Sequence, residues 1–117
     1  MGIALKEMQA LDLMRRAFTA GVRSDAPDLT ARQMALLLIV YLTALPHTVR
    51  GLAAQLSVTK PVITRAVDTL SALELVRRKT DVTDRRNVLI VRTVKGSVHL
   101  RDFAERIVRA GGETNDG

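Results

Sequence analysis

Apolar positions along this chain recur at helical spacing over most of its length and change to short strand-like runs in one region only. Over residues 3–22, Met8, Leu11, Met14, Phe18 and Val22 follow one another at intervals of 3, 3, 4 and 4, which lines them along one face of a first helix. Gly21 to Asp28, with Pro27 and two aspartates, reads as a loop. Thr30 and Gln33 then form a capping box: the hydroxyl serves the N3 amide and the glutamine side chain reaches back. From Met34 to Leu45 only Thr43 breaks a run of twelve apolar residues. That pattern predicts a buried central helix, since at about 1.5 Å per residue it spans about 18 Å, too little to cross a bilayer core of about 30 Å. Pro46 ends it.

Val49 to Leu73 reads as two short helices joined by a tight turn, the sequence form of a helix-turn-helix. Leu52, Ala53 and Leu56 give the first helix one apolar stripe behind Thr48, which is placed to cap it. Ser57-Val58 is the turn. The second helix spans residues 59–73: Thr59 is expected to cap with its hydroxyl, and Pro61 sits where a missing N–H costs nothing. Ile63, Ala66, Val67, Leu70 and Leu73 take the inner face, while Lys60, Thr64, Arg65 and Asp68 take the outer one. Lysine, threonine and arginine there supply donors that match guanine edges, thymine oxygens or phosphates of a major groove.

Downstream, residues 75–80 and 87–93 are strand-like, separated by Asp81-Val82-Thr83-Asp84-Arg85-Arg86, so a basic hairpin follows the helix-turn-helix. Arg85 and Arg86 lie at its tip, where a guanidinium suits a narrow, negative minor groove. Residues 94–110, with Val94, Val98, Phe103 and Ile107 apolar, predict a last helix that Gly111-Gly112 stops, leaving 111–117 as a disordered tail.

The order Leu29-Thr30-Ala31-Arg32-Gln33, helix-turn-helix, then Asp84-Arg85-Arg86 resembles the multiple-antibiotic-resistance regulator (MarR) family of bacterial repressors over roughly residues 29–96. Two positions depart from it: Glu74 stands where the family usually has glycine, and Val82 where a proline often follows the first wing aspartate. The resemblance implies a winged helix-turn-helix, mainly α with a small β-hairpin wing (α+β), flanked by N- and C-terminal dimerisation helices. It also implies that Asp84 braces the wing by holding Arg86 or Arg78. Family members usually continue for a further helix or more after the wing, so an interface that is either smaller or built mainly from residues 1–22 is expected here. A small-molecule effector follows from the resemblance alone; one Tyr, two Phe and no Trp name no pocket for it.

Charge sharpens the picture. Residues 1–45 hold five Lys/Arg against four Asp/Glu (+1), residues 46–95 ten against four (+6), and residues 96–117 three against four (−1), which sums to the formal +6. An excess confined to the helix-turn-helix and hairpin is the footprint of a polyanion binder. With no cysteine, disulfides, thiolate metal sites and thiol-based sensing are excluded, and a reducing cytosol is a compatible setting. The N-terminus carries no signal-peptide or myristoylation pattern, so no membrane is expected. His47 and His99 sit at no metal or catalytic spacing and are read as turn or surface residues. No nucleophile–base pair, carboxylate pair or phosphate-cradling glycine loop occurs, so no enzyme, metal or cofactor is expected.

The expectation is therefore one domain over residues 1–117: an N-terminal helix 1–22, a DNA-binding core 29–93 with its wing at 81–86, a C-terminal helix 94–110 and the tail. Its function is that of a cytoplasmic, homodimeric repressor reading a palindromic double-stranded DNA site. Lys60, Pro61, Thr64 and Arg65 form the base-reading set, Thr59 a phosphate contact, Arg85 and Arg86 the minor-groove pair, and Arg78 and Asp84 the wing brace. The rival is a winged-helix protein adaptor with non-specific nucleic-acid affinity, which would not depend on Lys60, Thr64 and Arg65.

Overall fold

A computed structural model describes residues 5–116, with side chains for residues 6–112. The elements run α1 (Leu5–Arg23), α2 (Ala31–Leu42), α3 (Val49–Leu56), α4 (Lys60–Ala72), β1 (Val76–Thr80), β2 (Val88–Arg92) and α5 (Val94–Asp116). They divide into two compact units, one of residues 29–98 and one of the residues up to 28 together with those from 99 onward. Residues 3 and 4 of the expected first helix lie outside the described residues.

In the unit of residues 29–98, α2 is the core element, with Leu36, Leu37 and Val40 wholly buried; each contributes about 1.5–3 kcal/mol by leaving water. Its start is the expected capping box, Gln33 N donating to Thr30 Oγ1 at 3.1 Å and Thr30 N to Gln33 Oε1 at 2.9 Å. Its end comes three residues before Leu45, the expected limit. Thr43 turns extended and donates its hydroxyl to Ile39 O at 2.7 Å. Arg92 of β2 takes the next carbonyls, Nε to Val40 O at 2.9 Å and Nη2 to Thr43 O at 3.0 Å, a cation at the negative end of the helix dipole. Leu42 and Leu45 are consequently exposed.

The helix-turn-helix closes as its pattern predicts, with one exception. Thr48 Oγ1 accepts from Gly51 N at 3.0 Å. Ser57 takes the left-handed conformation (φ 54°), and Val58 N returns to Ala53 O at 3.0 Å, so two residues suffice to reverse the chain. Thr59 is the N-cap of α4, but its hydroxyl makes no cap hydrogen bond. Its carbonyl closes the turn instead, accepting from Val62 N and Ile63 N at 3.1 and 3.3 Å. Pro61 in the first turn removes one of the amides a hydroxyl would otherwise serve. On the inner face Ile63, Val67 and Leu70 are wholly buried and Ala66 nearly so.

β1 and β2 pair antiparallel from Val76↔Arg92 to Thr80↔Val88, with Arg78 opposite Ile90. A third, very short strand arrives from before α3: Thr48 bridges Leu89, and Ile90 N donates to His47 O at 2.8 Å. His47 is therefore buried, its ring 3.3 Å from Thr43 O, and is no surface residue.

The two ends of the hairpin are tied to α2 through one phenol. Tyr41 Oη donates to Leu75 O at 2.6 Å and accepts from Thr93 N at 2.9 Å. Thr93 Oγ1 donates to Glu74 O at 2.8 Å and accepts from Gly96 N at 2.9 Å, starting α5. Gly96 is required here, because a Cβ would lie 1.8 Å from Tyr41 Oη and 2.3 Å from Leu75 O. Glu74, which precedes β1, has φ 62°, the left-handed region that suits glycine.

In the other unit, α1 and α5 meet over small residues. Ala17 and Ala110 are buried, and the position of a Cβ on Gly111 lies 3.8 Å from Leu13 Cδ1. The stripe Met8, Leu11, Met14, Phe18 and Val22 stays 37–73% exposed. Gly111-Gly112 do not stop the last helix, which continues to Asp116 through most of the segment 111–117 expected to be a disordered tail. Neither glycine takes a positive φ, so the left-handed cap on which that expectation rested is not formed.

The junction around Tyr41 sets measurable stabilities. Tyr41→Phe leaves Thr93 N and Leu75 O without their partner and should cost about 1–3 kcal/mol in urea unfolding. Gly96→Ala should cost about 2–3 kcal/mol by overpacking, because the added Cβ strikes the Leu75 carbonyl as well as the phenol. Glu74→Gly should raise stability by about 0.5–1 kcal/mol by relieving the left-handed side chain, read as a shift in midpoint at unchanged denaturant slope.

Candidate nucleic-acid interface

α4 presents one buried and one open face, and the residues between the buried positions make the open one. Lys60, Pro61, Thr64, Arg65 and Asp68 are all exposed, while their neighbours Ile63, Ala66 and Val67 hold the helix against the core. The N-cap Thr59 is also exposed, and its hydroxyl, unused in the cap, stands at the positive dipole end of the helix.

The wing is the loop 81–87 between β1 and β2. Asp81 opens it, its Oδ1 accepting from Thr83 Oγ1 at 2.7 Å and Thr83 N at 3.0 Å. These bonds, the hydroxyl first, hold its carboxyl below the usual carboxylate range. At the tip, Asp84 Oδ1 accepts from the backbone N and the Nε of Arg86, both at 3.1 Å, and Oδ2 from Nη2 at 3.4 Å. Asn87 N closes the turn onto Asp84 O at 2.9 Å. The Arg86 side chain is 90% exposed against 38% for Asp84, so the carboxylate lies inside the turn and the guanidinium outside it. Arg85 is exposed beside it.

Of the two arginines that Asp84 was expected to hold, the structure brings only Arg86 to it. Arg78 is directed elsewhere. It lies opposite the buried Ile90, on the sheet face turned to the core, and its Nη2 pairs with Asp68 of α4 and reaches Thr64 O at 3.4 Å.

Two grooves flank α4. One, of about 470 Å³, runs between the start of α3, the start of α4 and the wing, and draws Arg50, Lys60 and Arg86 together with Asn87 around it. The other, of about 180 Å³, lies between the start of α2 and the middle of α4, bordered by Arg32, Arg65 and Thr69. Three cations from three separate segments therefore face one groove, against the single carboxylate of Asp84. Arg50 is the residue that the sequence reading missed. Its signal was its place in the first turn of α3, inside the most basic stretch of the chain. The remaining histidine, His99, lies on α5; burial and the Arg106 guanidinium hold its imidazole below the ordinary range, with Asp102 opposing.

A sequence model of the MarR family matches residues 29–88, just over half of the chain. The chain belongs to the MarR family. No curated protein matches it, but solved structures of MarR-type regulators do. The transcriptional regulator Tm0710 of Thermotoga maritima is 24% identical with a TM-score of 0.72, over 93% of this chain and 71% of that one. A point mutant of S. aureus MepR, bound to an oligodeoxyribonucleotide, is 21% identical with a TM-score of 0.79, over 96% and 80%. CouR of Rhodococcus jostii RHA1, bound to p-coumaroyl-CoA, is 28% identical with a TM-score of 0.65, over 97% and 76%. This MarR-family chain thus has the winged helix of a DNA-binding transcriptional regulator, in which the hairpin is the wing. Among its described residues no group of three metal-ligating side chains occurs, and no helix is long and apolar enough to cross a membrane.

The hydrogen bonds of Asp81 give the wing a pH signature with a definite sign. A carboxyl whose folded pKa lies below the ordinary 3.8 stabilises the loop fully above that value and loses its effect as pH falls through the lowered one. Titration followed at the Thr83 amide should therefore be flat down to about pH 5 and change only in more acid solution. Asp81→Asn should remove that acid transition.

Proposed function

We propose that this MarR-family chain is a cytoplasmic repressor that binds a palindromic double-stranded DNA site as a homodimer. α4 enters the major groove, with Lys60, Pro61, Thr64 and Arg65 at the base edges and Thr59 on a phosphate. Arg85 and Arg86 enter the minor groove, Arg86 being held by Asp84. Arg50 joins them as a phosphate contact at the start of α3. The observation that carries the reading is the groove in which Arg50, Lys60 and Arg86 converge from α3, α4 and the wing: cations brought together from three segments suit a polyanion.

A homodimer is supported by the apolar stripe of α1, five large side chains that the chain's own packing leaves open. A soluble chain buries such a face against a second copy or another protein, and a two-fold pair of α4 helices about 34 Å apart would read successive major grooves.

Selection of fragments from a random genomic duplex library, over a salt series, tests this directly. A repressor dimer enriches a near-palindromic site with affinity falling steeply as salt rises. Weak, unselective binding would overturn it and favour the protein-adaptor reading. On the selected site, Arg65→Ala should cost about 1–3 kcal/mol and relax one base preference, while Arg50→Ala should weaken specific and random duplexes alike and reduce the salt slope by about 1.

A further inference from the structure

Asp68 is the one carboxylate on the open face of α4, a turn beyond Thr64 and Arg65, and 61% of its side chain is exposed. Left alone, that charge would repel the phosphates which the rest of the face is suited to approach. It is not left alone. Arg78 leaves β1 on the sheet face shared with Ile90, crosses to α4, and gives one nitrogen to both the Asp68 carboxylate and the Thr64 carbonyl, the latter at 3.4 Å. A single guanidinium thus joins two successive turns of α4 to the strand that leads into the wing.

We propose that Arg78 and Asp68 form a latch that sets the angle between the wing and the recognition helix and masks the Asp68 charge. Arg78 is then a positioning residue for DNA reading, although its charge and place in the hairpin suggest a phosphate contact. Three observations carry the assignment. The guanidinium is already engaged by two acceptors, both on α4. It lies on the core-facing side of β1, opposite a wholly buried residue. Asp68 is the only acidic side chain that α4 contains, so the pair uses the helix's single source of repulsion as its anchor. Exposed ion pairs add little to folding stability. The value of this one lies in holding two reading elements in register, since wing and helix gain from each other only when both reach the duplex together. A lysine carries a compact, strongly hydrated ammonium on a different stem, so it does not place its donor between the carboxylate and the carbonyl as the planar guanidinium does.

The inference rests on the DNA-reading function proposed above, and one experiment separates the failure of each. Binding of the full chain to its best selected duplex is measured across a salt series for wild type, Arg78→Ala, Arg78→Lys, Asp68→Ala, the double alanine variant and the exchange D68R/R78D, with urea unfolding confirming that each is folded. If the latch operates, Arg78→Ala loses about threefold to tenfold in affinity with the salt slope unchanged, the two positions couple in the double-mutant cycle, and the exchange restores most of the loss. Arg78→Lys should rescue only in part. A salt slope reduced by about 1 in Arg78→Ala, or additive effects at the two positions, would overturn the latch while leaving the DNA reader intact. A wild type that selects no duplex would overturn the reading itself, and the latch role with it. A variant that fails to fold is replaced in the cycle by Asp68→Asn with Arg78→Gln, which keep the shapes and remove the charges.

Discussion

The Tyr41 hydroxyl, bonded on both sides, is the constraint on which the reading unit depends. A phenolic oxygen inside a protein must satisfy its hydrogen bonds, and this one does so with the carbonyl that ends the α4–β1 link and the amide that ends β2. Both ends of the hairpin are thereby pinned to α2, the most buried helix of the unit. Arg92 repeats the connection from the other direction by taking the carbonyls of Val40 in α2 and of Thr43 just beyond it. Gly96 then becomes obligatory, because the first turn of α5 passes through the space that these groups leave. The wing loop is carried by the two-stranded ribbon of β1 and β2, and such a ribbon is at best marginally stable by itself in water. What makes it a defined object is that its base is bolted at three points to a packed helix.

That rigidity gives the charge its meaning. Ten Lys/Arg and four Asp/Glu between residues 46 and 95 would attract any polyanion, whatever their arrangement. Folding sorts the four acidic groups by partner: Asp68 meets Arg78, Glu74 meets Lys95 at 3.2 Å, Asp84 meets Arg86, and Asp81 accepts from Thr83. Three of them meet a cation, and the fourth is satisfied by neutral donors inside the loop. The bases that remain outside such pairs include Arg50, Lys60 and Arg65, and these border the grooves on either side of α4. A net charge has in this way been turned into a directional one.

Much of this architecture was legible in the amino-acid order, where local rules and tertiary demands agree. The periodicity of α3 and α4, the Thr30–Gln33 box, the Thr48 cap and the hairpin all follow from spacing and side-chain chemistry within a few residues. The misses have a common cause, in that a distant group decided the outcome. The apolar run to Leu45 outlasts α2 because Arg92, about fifty residues on, supplies the terminating donors. His47-Thr48 becomes a strand stub because β2 offers it a free edge, and no two-residue segment carries a period. Asp84 had two arginines within reach of a sequence argument; the strand register, which puts Arg78 on the core face with Ile90, turns that one to Asp68 instead. Thr59 looked like a cap by type, yet Pro61 and the Thr59 carbonyl close that turn without its hydroxyl.

Glu74 shows how a departure from a family pattern is absorbed. Its position needs a positive φ, and a residue with a side chain holds it at a cost of about 1–2 kcal/mol. The surroundings over-determine the conformation. Its carbonyl is taken by Thr93 Oγ1, its amide donates to Ser71 O at 2.9 Å, and the next residue, Leu75, is buried and bonded through its carbonyl to Tyr41. With the backbone held on both sides, the strain cannot be released by local rearrangement without breaking the Tyr41 junction. The side chain in turn reaches Lys95 at the start of α5, a contact no glycine can make. The same network that positions the wing therefore tolerates the substitution at its base, and a sequence departure at a turn leaves the reading surface in place.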